Sequence, residues 1–190
     1  AYGATKLLME RMFQAEALER PKGPRFTLTR YGNVLSSTGS VIPAFRAQAA
    51  AGGPLRITDP HMTRFWLTLD DAVDLVVAGL EVPNGCILIP RCFASSMAVL
   101  AEAVAPGVRS VLAGNRGGEK GDERLLNGHE APYARQTPAG FVLSPMVGAP
   151  AAFLPEGFEY RSDTAPQFTA KTLRGVIEAL DGPVPVRTLT

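Results

Sequence analysis

A length of 190 residues with 46% hydrophobic and 19% charged side chains is enough for a real core and excludes intrinsic disorder. Nineteen Lys and Arg against 18 Asp and Glu give a net charge of +1, too little for a broad field that would hold nucleic acid or an anionic membrane. No apolar run approaches the ~20 residues of a membrane helix, and residues 1–30 carry charges throughout with no secretory core; the sequence reads as cytoplasmic.

The chain opens at Ala1 without an initiator Met and runs straight into a patterned segment, where domains rarely start. Ala4, Leu7, Leu8, Met12, Ala15 and Leu18 fall on one stripe at i, i+3, i+4 spacing, predicting a helix to Glu19 that Pro21, Gly23 and Pro24 end. Phe26–Thr29 alternates as a strand does and leads into Arg30-Tyr31-Gly32-Asn33-Val34. Ser40 is placed as N-cap of a helix carrying Val41, Ile42 and Phe45 and stopping at Gly52-Gly53-Pro54.

Leu55–Thr58 reads as a short strand. Thr68 and Asp71 have capping-box spacing before an amphipathic helix with Val73, Val76, Val77 and Leu80. Asp70 and Asp71 are first-turn charges of that helix rather than an acid–base couple. Cys86–Ile89 is a continuous apolar run closed by Pro90, as in a strand buried on both faces. Met97, Leu100, Ala101 and Val104 mark another helix, Ser110–Ala113 a strand, and Leu173, Val176, Ile177 and Leu180 a last helix. Between 127 and 168, rich in Gly and Pro, only Phe141–Leu143 reads as a strand, and 181–190 reads as a tail. Strands alternating with helices predict an α/β fold with a mostly parallel sheet.

Cys86 and Cys92, spaced C-x5-C, fit neither a zinc site nor a disulfide framework and read as buried thiols in a reducing compartment. His61 and His129 are too few for a metal site. Tyr2 and Lys6 stand four apart and share a helix face. An ammonium near a phenol favours the phenolate and lowers its pKa, which suits a base that takes a hydroxyl proton near neutrality. Alone, that spacing also fits a helix-start Tyr followed by a solvated Lys.

Tyr2-Gly3-Ala4-Thr5-Lys6 followed by Arg30-Tyr31-Gly32-Asn33-Val34 resembles the second half of an extended short-chain dehydrogenase/reductase. Gly39-Ser40-Val41-Ile42-Pro43, Ile57-Thr58-Asp59-Pro60 and Met62-Thr63-Arg64-Phe65-Trp66 follow in order. With Arg116-Gly117-Gly118-Glu119-Lys120 and Tyr160-Arg161-Ser162-Asp163-Thr164, the series is similar to UDP-N-acetylglucosamine 4,6-dehydratases, particularly the soluble, carbon-5-inverting branch. The resemblance runs from Ala1 to about Leu180. It implies residues 1–180 as the C-terminal portion of a Rossmann-like enzyme with its smaller substrate-binding lobe, the N-terminal dinucleotide-binding half being absent.

The same resemblance implies a role for each matching residue. Tyr2 would be the catalytic base at the sugar's 4-hydroxyl, and Lys6 would bind the nicotinamide ribose and lower the tyrosine's pKa. Tyr31, Gly32 and Val34 would lie near the nicotinamide of NADP, with NAD as the alternative cofactor. Asn33 would face the diphosphate of a UDP-sugar substrate, joined by Arg64 and Arg116, and Glu119 would accept from the uridine ribose hydroxyls. Self-association is implied for the complete enzyme.

Four positions depart from the family pattern. Thr38 stands for a usual Arg, Gly118 for a Pro, Asp122 for a His, and His61 for what is often Arg. Gly114-Asn115-Arg116-Gly117-Gly118 does not match the G-x-G-x-x-G phosphate turn. The family's Asp-Lys pair for water loss belongs just upstream of the tyrosine. A nucleotide-sugar 4-epimerase or 4-reductase, and a non-catalytic UDP-sugar-binding lobe, remain as alternative readings of the same residues.

Overall fold

The computed structural model describes residues 2–37, 39–114, 117–145 and 154–181, the side chain of Tyr2 excepted. In chain order the elements are α1 (Tyr2–Glu19), β1 (Leu28–Thr29), β2 (Asn33–Val34), α2 (Val41–Ala50), β3 (Leu55–Ile57) and β4 (Thr63–Leu67). They continue with α3 (Leu69–Gly79), β5 (Ile87–Pro90), β6 (Phe93–Ser96), α4 (Met97–Val104) and β7 (Ser110–Leu112). The chain then runs through β8 (Arg124–Leu126), a 3-10 turn (Ala131–Tyr133), β9 (Ala134–Thr137), β10 (Gly140–Leu143), β11 (Tyr160–Arg161) and α5 (Ala170–Leu180). Among the described residues no helix is long and apolar enough to cross a membrane.

Two compact units divide these elements. The first comprises Ala1–Tyr31, Asp70–Arg91 and Arg124–Arg161. Its sheet has the order β1-β5-β10-β9, with β1 parallel to β5 and the other two pairings antiparallel. The expected mostly parallel sheet is therefore mixed. Residues 138–139 are all that separates β9 from β10, and a connection that short can only make a hairpin. Gly140 opens β10 at φ +148°, where a Cβ would lie 2.0 Å from the Ile89 carbonyl oxygen. The Gly- and Pro-rich stretch thus holds β9 and β11 as well as the strand expected at Phe141–Leu143. As expected, β5 is the buried central strand, with Ile87, Leu88 and Ile89 all in the core.

Helix α1 forms where its spacing placed it, but its apolar stripe faces outward: Leu8 is 61% and Met12 63% exposed, with Leu7 and Leu18 close behind. The buried side is Gln14 and Ala17. Gln14 Nε2 donates to the Gly85 carbonyl at 3.2 Å, and Asn84 Nδ2 donates to the Ala17 carbonyl at 3.1 Å. Helix α3 shows a similar inversion. Val73, Val76, Val77 and Leu80 are exposed, whereas Ala72, Leu75 and Gly79 are buried. Small residues decide that orientation, since a Cβ on Gly79 would already lie 3.2 Å from Thr29 Cγ2. Asp70 and Asp71 occupy the first turn of α3, where the helix dipole favours them.

The second unit comprises Gly32–Leu69, Cys92–Glu123 and Ser162–Thr190. A three-stranded sheet runs β2-β4-β6, with β2 parallel and β6 antiparallel to β4, and a separate pair joins β3 to β7 in parallel. Here the predicted helix faces are buried: Ile42 and Phe45 of α2, Leu100 and Ala101 of α4, and Leu173 and Ile177 of α5 share one core with Leu55, Ile57 and Trp66. Thr169 and Thr172 close a reciprocal capping box on α5. Asp181 belongs to the fold rather than to the expected tail, because Arg46 grips its carboxylate with two bonds of 2.9 and 2.5 Å. The rest of that tail, 182–190, lies outside the described residues.

Candidate functional site

Strand β4 builds one wall of the site through its twofold alternation. Met62, Arg64 and Trp66 line a cavity of about 830 Å³, while Phe65 between them is fully buried. Asn33 and Val34 of β2 pair with Trp66 and Leu67 of β4 and reach the same cavity. Arg56 comes from β3, where it is exposed between buried Leu55 and Ile57, and Glu119 follows β7. The start of α2 closes the space with Gly39, Ser40 and Val41.

Ser40 holds the N-cap position in an extended conformation, but its side chain makes no cap bond, and its buried Oγ has no partner among the described residues. The expected cap is thus one of position only, which leaves the first N–H groups of α2 without a capping side chain at the cavity wall. Two guanidinium groups, Arg56 and Arg64, and the positive end of a helix make this a surface suited to an anion. Glu119 adds an acceptor for hydroxyl groups.

Asn33 and Arg64 are tied to a residue outside the expected set. Asn33 Nδ2 donates to both carboxylate oxygens of Glu123, at 2.9 and 3.0 Å, and to the Phe65 carbonyl at 3.2 Å. The Phe65 N–H donates to the same carboxylate at 3.0 Å, and Arg64 Nε lies 3.7 Å from it. Arg64 also donates through Nη1 to the Thr63 carbonyl at 2.7 Å and through Nη2 to Met62 Sδ at 2.7 Å. Gly32, at the head of this unit, packs its backbone against Phe65 so closely that a Cβ would lie 2.4 Å from Phe65 Cβ.

In the first unit, α1 carries Tyr2 and Lys6 one turn apart, and Lys6 is exposed. Tyr31 ends the segment after β1 and is exposed. The residue before it, Arg30, donates to both oxygens of Glu10 on α1, at 3.0 and 2.7 Å, to both oxygens of Glu130, and to the Leu125 carbonyl. Burial alone would lower the Arg30 pKa; hydrogen bonds to Glu130 and Glu10 outweigh it and hold the guanidinium above its ordinary value.

Of the residues singled out from sequence, Asn33, Val34, Arg64 and Glu119 meet at one cavity, and Gly32 adjoins Phe65 of its wall. Tyr2, Lys6 and Tyr31 belong to the first unit. Arg116 lies outside the described residues, as does Thr38. Arg56 and Glu123 escaped the sequence reading. Arg56 had a legible signal, a charge alternating with Leu55 and Ile57 and so turned from the core. Glu123 had none, being one more acid in a charged loop.

Residues 1–145 match the family described as polysaccharide biosynthesis protein. The chain is 34% identical to a UDP-N-acetylglucosamine 4,6-dehydratase (inverting) from Campylobacter jejuni subsp. jejuni, over 95% of this chain and 60% of that protein. It is 43% identical to a UDP-glucose 4-epimerase from Rickettsia rickettsii, over 70% of this chain and 41% of that one. Among solved structures it resembles Pen from Bacillus thuringiensis, with TM-score 0.81, 30% identity, and coverage of 94% of this chain and 57% of the other. The chain spans about three-fifths of the length of the dehydratases it matches. Its mixed α/β architecture with parallel strand pairs and its matched sequence agree: the chain belongs to the polysaccharide biosynthesis protein family, with a short-chain dehydrogenase/reductase-like, Rossmann-type fold.

Proposed function

We propose that these residues are the tyrosine-bearing and substrate-binding portion of a nucleotide-sugar 4,6-dehydratase. Its substrate would be UDP-N-acetylglucosamine, its product a UDP-4-keto-6-deoxy-hexosamine for surface polysaccharide or glycan synthesis. The observation that carries this reading is the cavity of about 830 Å³ shared by Asn33, Arg56, Arg64, Glu119 and the start of α2. Its size is that of a small-molecule site. A UDP-sugar matches its chemistry, with phosphates for guanidinium groups and a helix N-terminus, and ribose hydroxyls for a carboxylate.

In the reaction, Tyr2 as phenolate takes the proton of the sugar's 4-hydroxyl. Lys6, one helical turn on, supplies the positive charge that favours the phenolate. A nicotinamide cofactor, NADP or NAD, supplies when bound the hydride acceptor at carbon 4 and the hydride donor at carbon 6. Toward the nicotinamide-ribose end of that group, Tyr2 and Lys6 stand four residues apart on α1 and Lys6 is exposed, and Tyr31, Gly32 and Val34 are assigned to the same end. Arg64 and Arg56, with Arg116, orient the diphosphate, and Glu119 holds the ribose. Self-association and a cytoplasmic setting complete the proposal.

The test uses the natural protein in which these residues occur, incubated with UDP-N-acetylglucosamine and NADP. A product lighter by one water is expected from the wild type and none from Tyr2→Phe, which keeps its affinity for UDP. Wild-type rates in Tyr2→Phe would remove Tyr2 from the mechanism. A second reading, UDP-sugar 4-epimerase, draws on the 43% identity to the rickettsial protein. It predicts a product of unchanged mass, and UDP binding without turnover would instead identify a binding lobe.

A further inference from the structure

Glu123 does not line the cavity, whereas the two side chains it holds, Asn33 and Arg64, both do. Its carboxylate, about as exposed as the Arg64 side chain it holds, gathers the Asn33 amide, the Phe65 N–H and the Arg64 Nε edge. Its own backbone is fixed in turn. The Glu123 N–H donates to Ser162 Oγ at 2.9 Å, and the Ser162 N–H returns a bond of 2.9 Å to the Glu123 carbonyl. Ser162 is fully buried, and its hydroxyl also reaches Thr63 Oγ1 at 2.8 Å and the Thr63 carbonyl at 3.1 Å. The order Ser162, Glu123, then Asn33 with Arg64 is a continuous bonded relay inside one unit, ending at the cavity.

We infer that Glu123 is a positioning residue for the ligand of this cavity, setting the presentation of Asn33 and Arg64 while touching neither substrate nor cofactor itself. This rests on the UDP-sugar reading above. Both hydrogens of the Asn33 amide are spent on Glu123 and the Phe65 carbonyl, so the amide plane is fixed and Oδ1 is the atom it has to offer. Asn33 therefore accepts from a hydroxyl or N–H of the ligand, and phosphate contact falls to the arginines. Removing the carboxylate frees the Asn33 amide to rotate and to present either end, and it unseats the Arg64 edge.

Trp66 lines the cavity, so its fluorescence should respond to UDP binding there. Asn33→Ala should weaken UDP by about three- to tenfold, the scale of a neutral hydrogen bond, and Glu123→Ala by at least as much because it also unseats Arg64. The double variant should be no weaker than the worse single one, since both act through one contact. Additive losses, or unchanged affinity in Glu123→Ala, overturn the inference. Glu123→Gln, close to isosteric, covers the case in which the alanine variant does not fold. In its ¹⁵N-correlated NMR spectrum the Asn33 side-chain amide pair should shift, because Gln keeps one acceptor but loses the charge and the second one, and an unmoved pair overturns the inference. A wild type blind to UDP, with an Asn33 amide that still answers to Glu123, sinks the UDP reading while upholding the positioning of Asn33.

Discussion

Arg30 and Glu130 meet as two matched forks, with Nη1 to Oε2 at 2.9 Å and Nη2 to Oε1 at 3.0 Å, and Glu130 is only 2% exposed. Glu10 of α1 grips the adjoining Nε–Nη2 edge of the same guanidinium, so that Nη2 donates to both carboxylates, and the Asn127 N–H also donates to Glu130. Glu130→Ala should cost about 3–5 kcal/mol in urea unfolding, because it leaves part of a buried pair without its partner. Glu130→Gln, which keeps one acceptor, should cost less. A loss under about 1 kcal/mol in Glu130→Ala would show the pair to behave as an exposed one. Because the Arg30 pKa is raised, its contribution is fully present below the ordinary arginine value and is lost only as pH rises beyond it. Its contribution should therefore be flat across neutral pH.

Gly32 is required by contact rather than by conformation. Any side chain there must displace Phe65, whose Cβ and carbonyl oxygen would lie 2.4 and 2.9 Å from the new atom. Phe65 is the buried residue between Arg64 and Trp66, and its carbonyl accepts from Asn33. Gly32→Ala should thus destabilise by about 1–3 kcal/mol and shift the Trp66 emission maximum. Unchanged stability and emission would show that β4 gives way freely.

Cys86 gives a pH-dependent signature. Burial pushes its thiol pKa above the ordinary 9.0, against smaller opposing effects from a hydrogen bond with Ser144 and the charge of Arg135. The folded state therefore holds this proton more tightly than the unfolded chain. The associated stability is complete below the ordinary value and is lost as pH rises from there through the folded pKa. Urea melts of the wild type should weaken across that alkaline window, and Cys86→Ala should weaken less. Identical alkaline slopes would exclude Cys86 as the source.

Local periodicity determined most of the elements. The i, i+3, i+4 spacings located α1, α3, α4 and α5, the apolar run located β5, and alternation around Arg56 turned that side chain from the core. The ordered motif blocks determined the family, and four of their residues meet at one cavity. Tertiary structure decided which face each helix buries. Periodicity shows that a stripe exists but not what will lie against it, and in α1 and α3 the close neighbours admit Ala17, Gly79 and Ala72 where bulkier residues had been the better apolar candidates. It also decided the polar partnerships. The Asn33–Glu123 and Arg30–Glu130 bonds join residues 90 and 100 positions apart, and a carboxylate's spacing along the chain carries no record of the donor that folding brings to it.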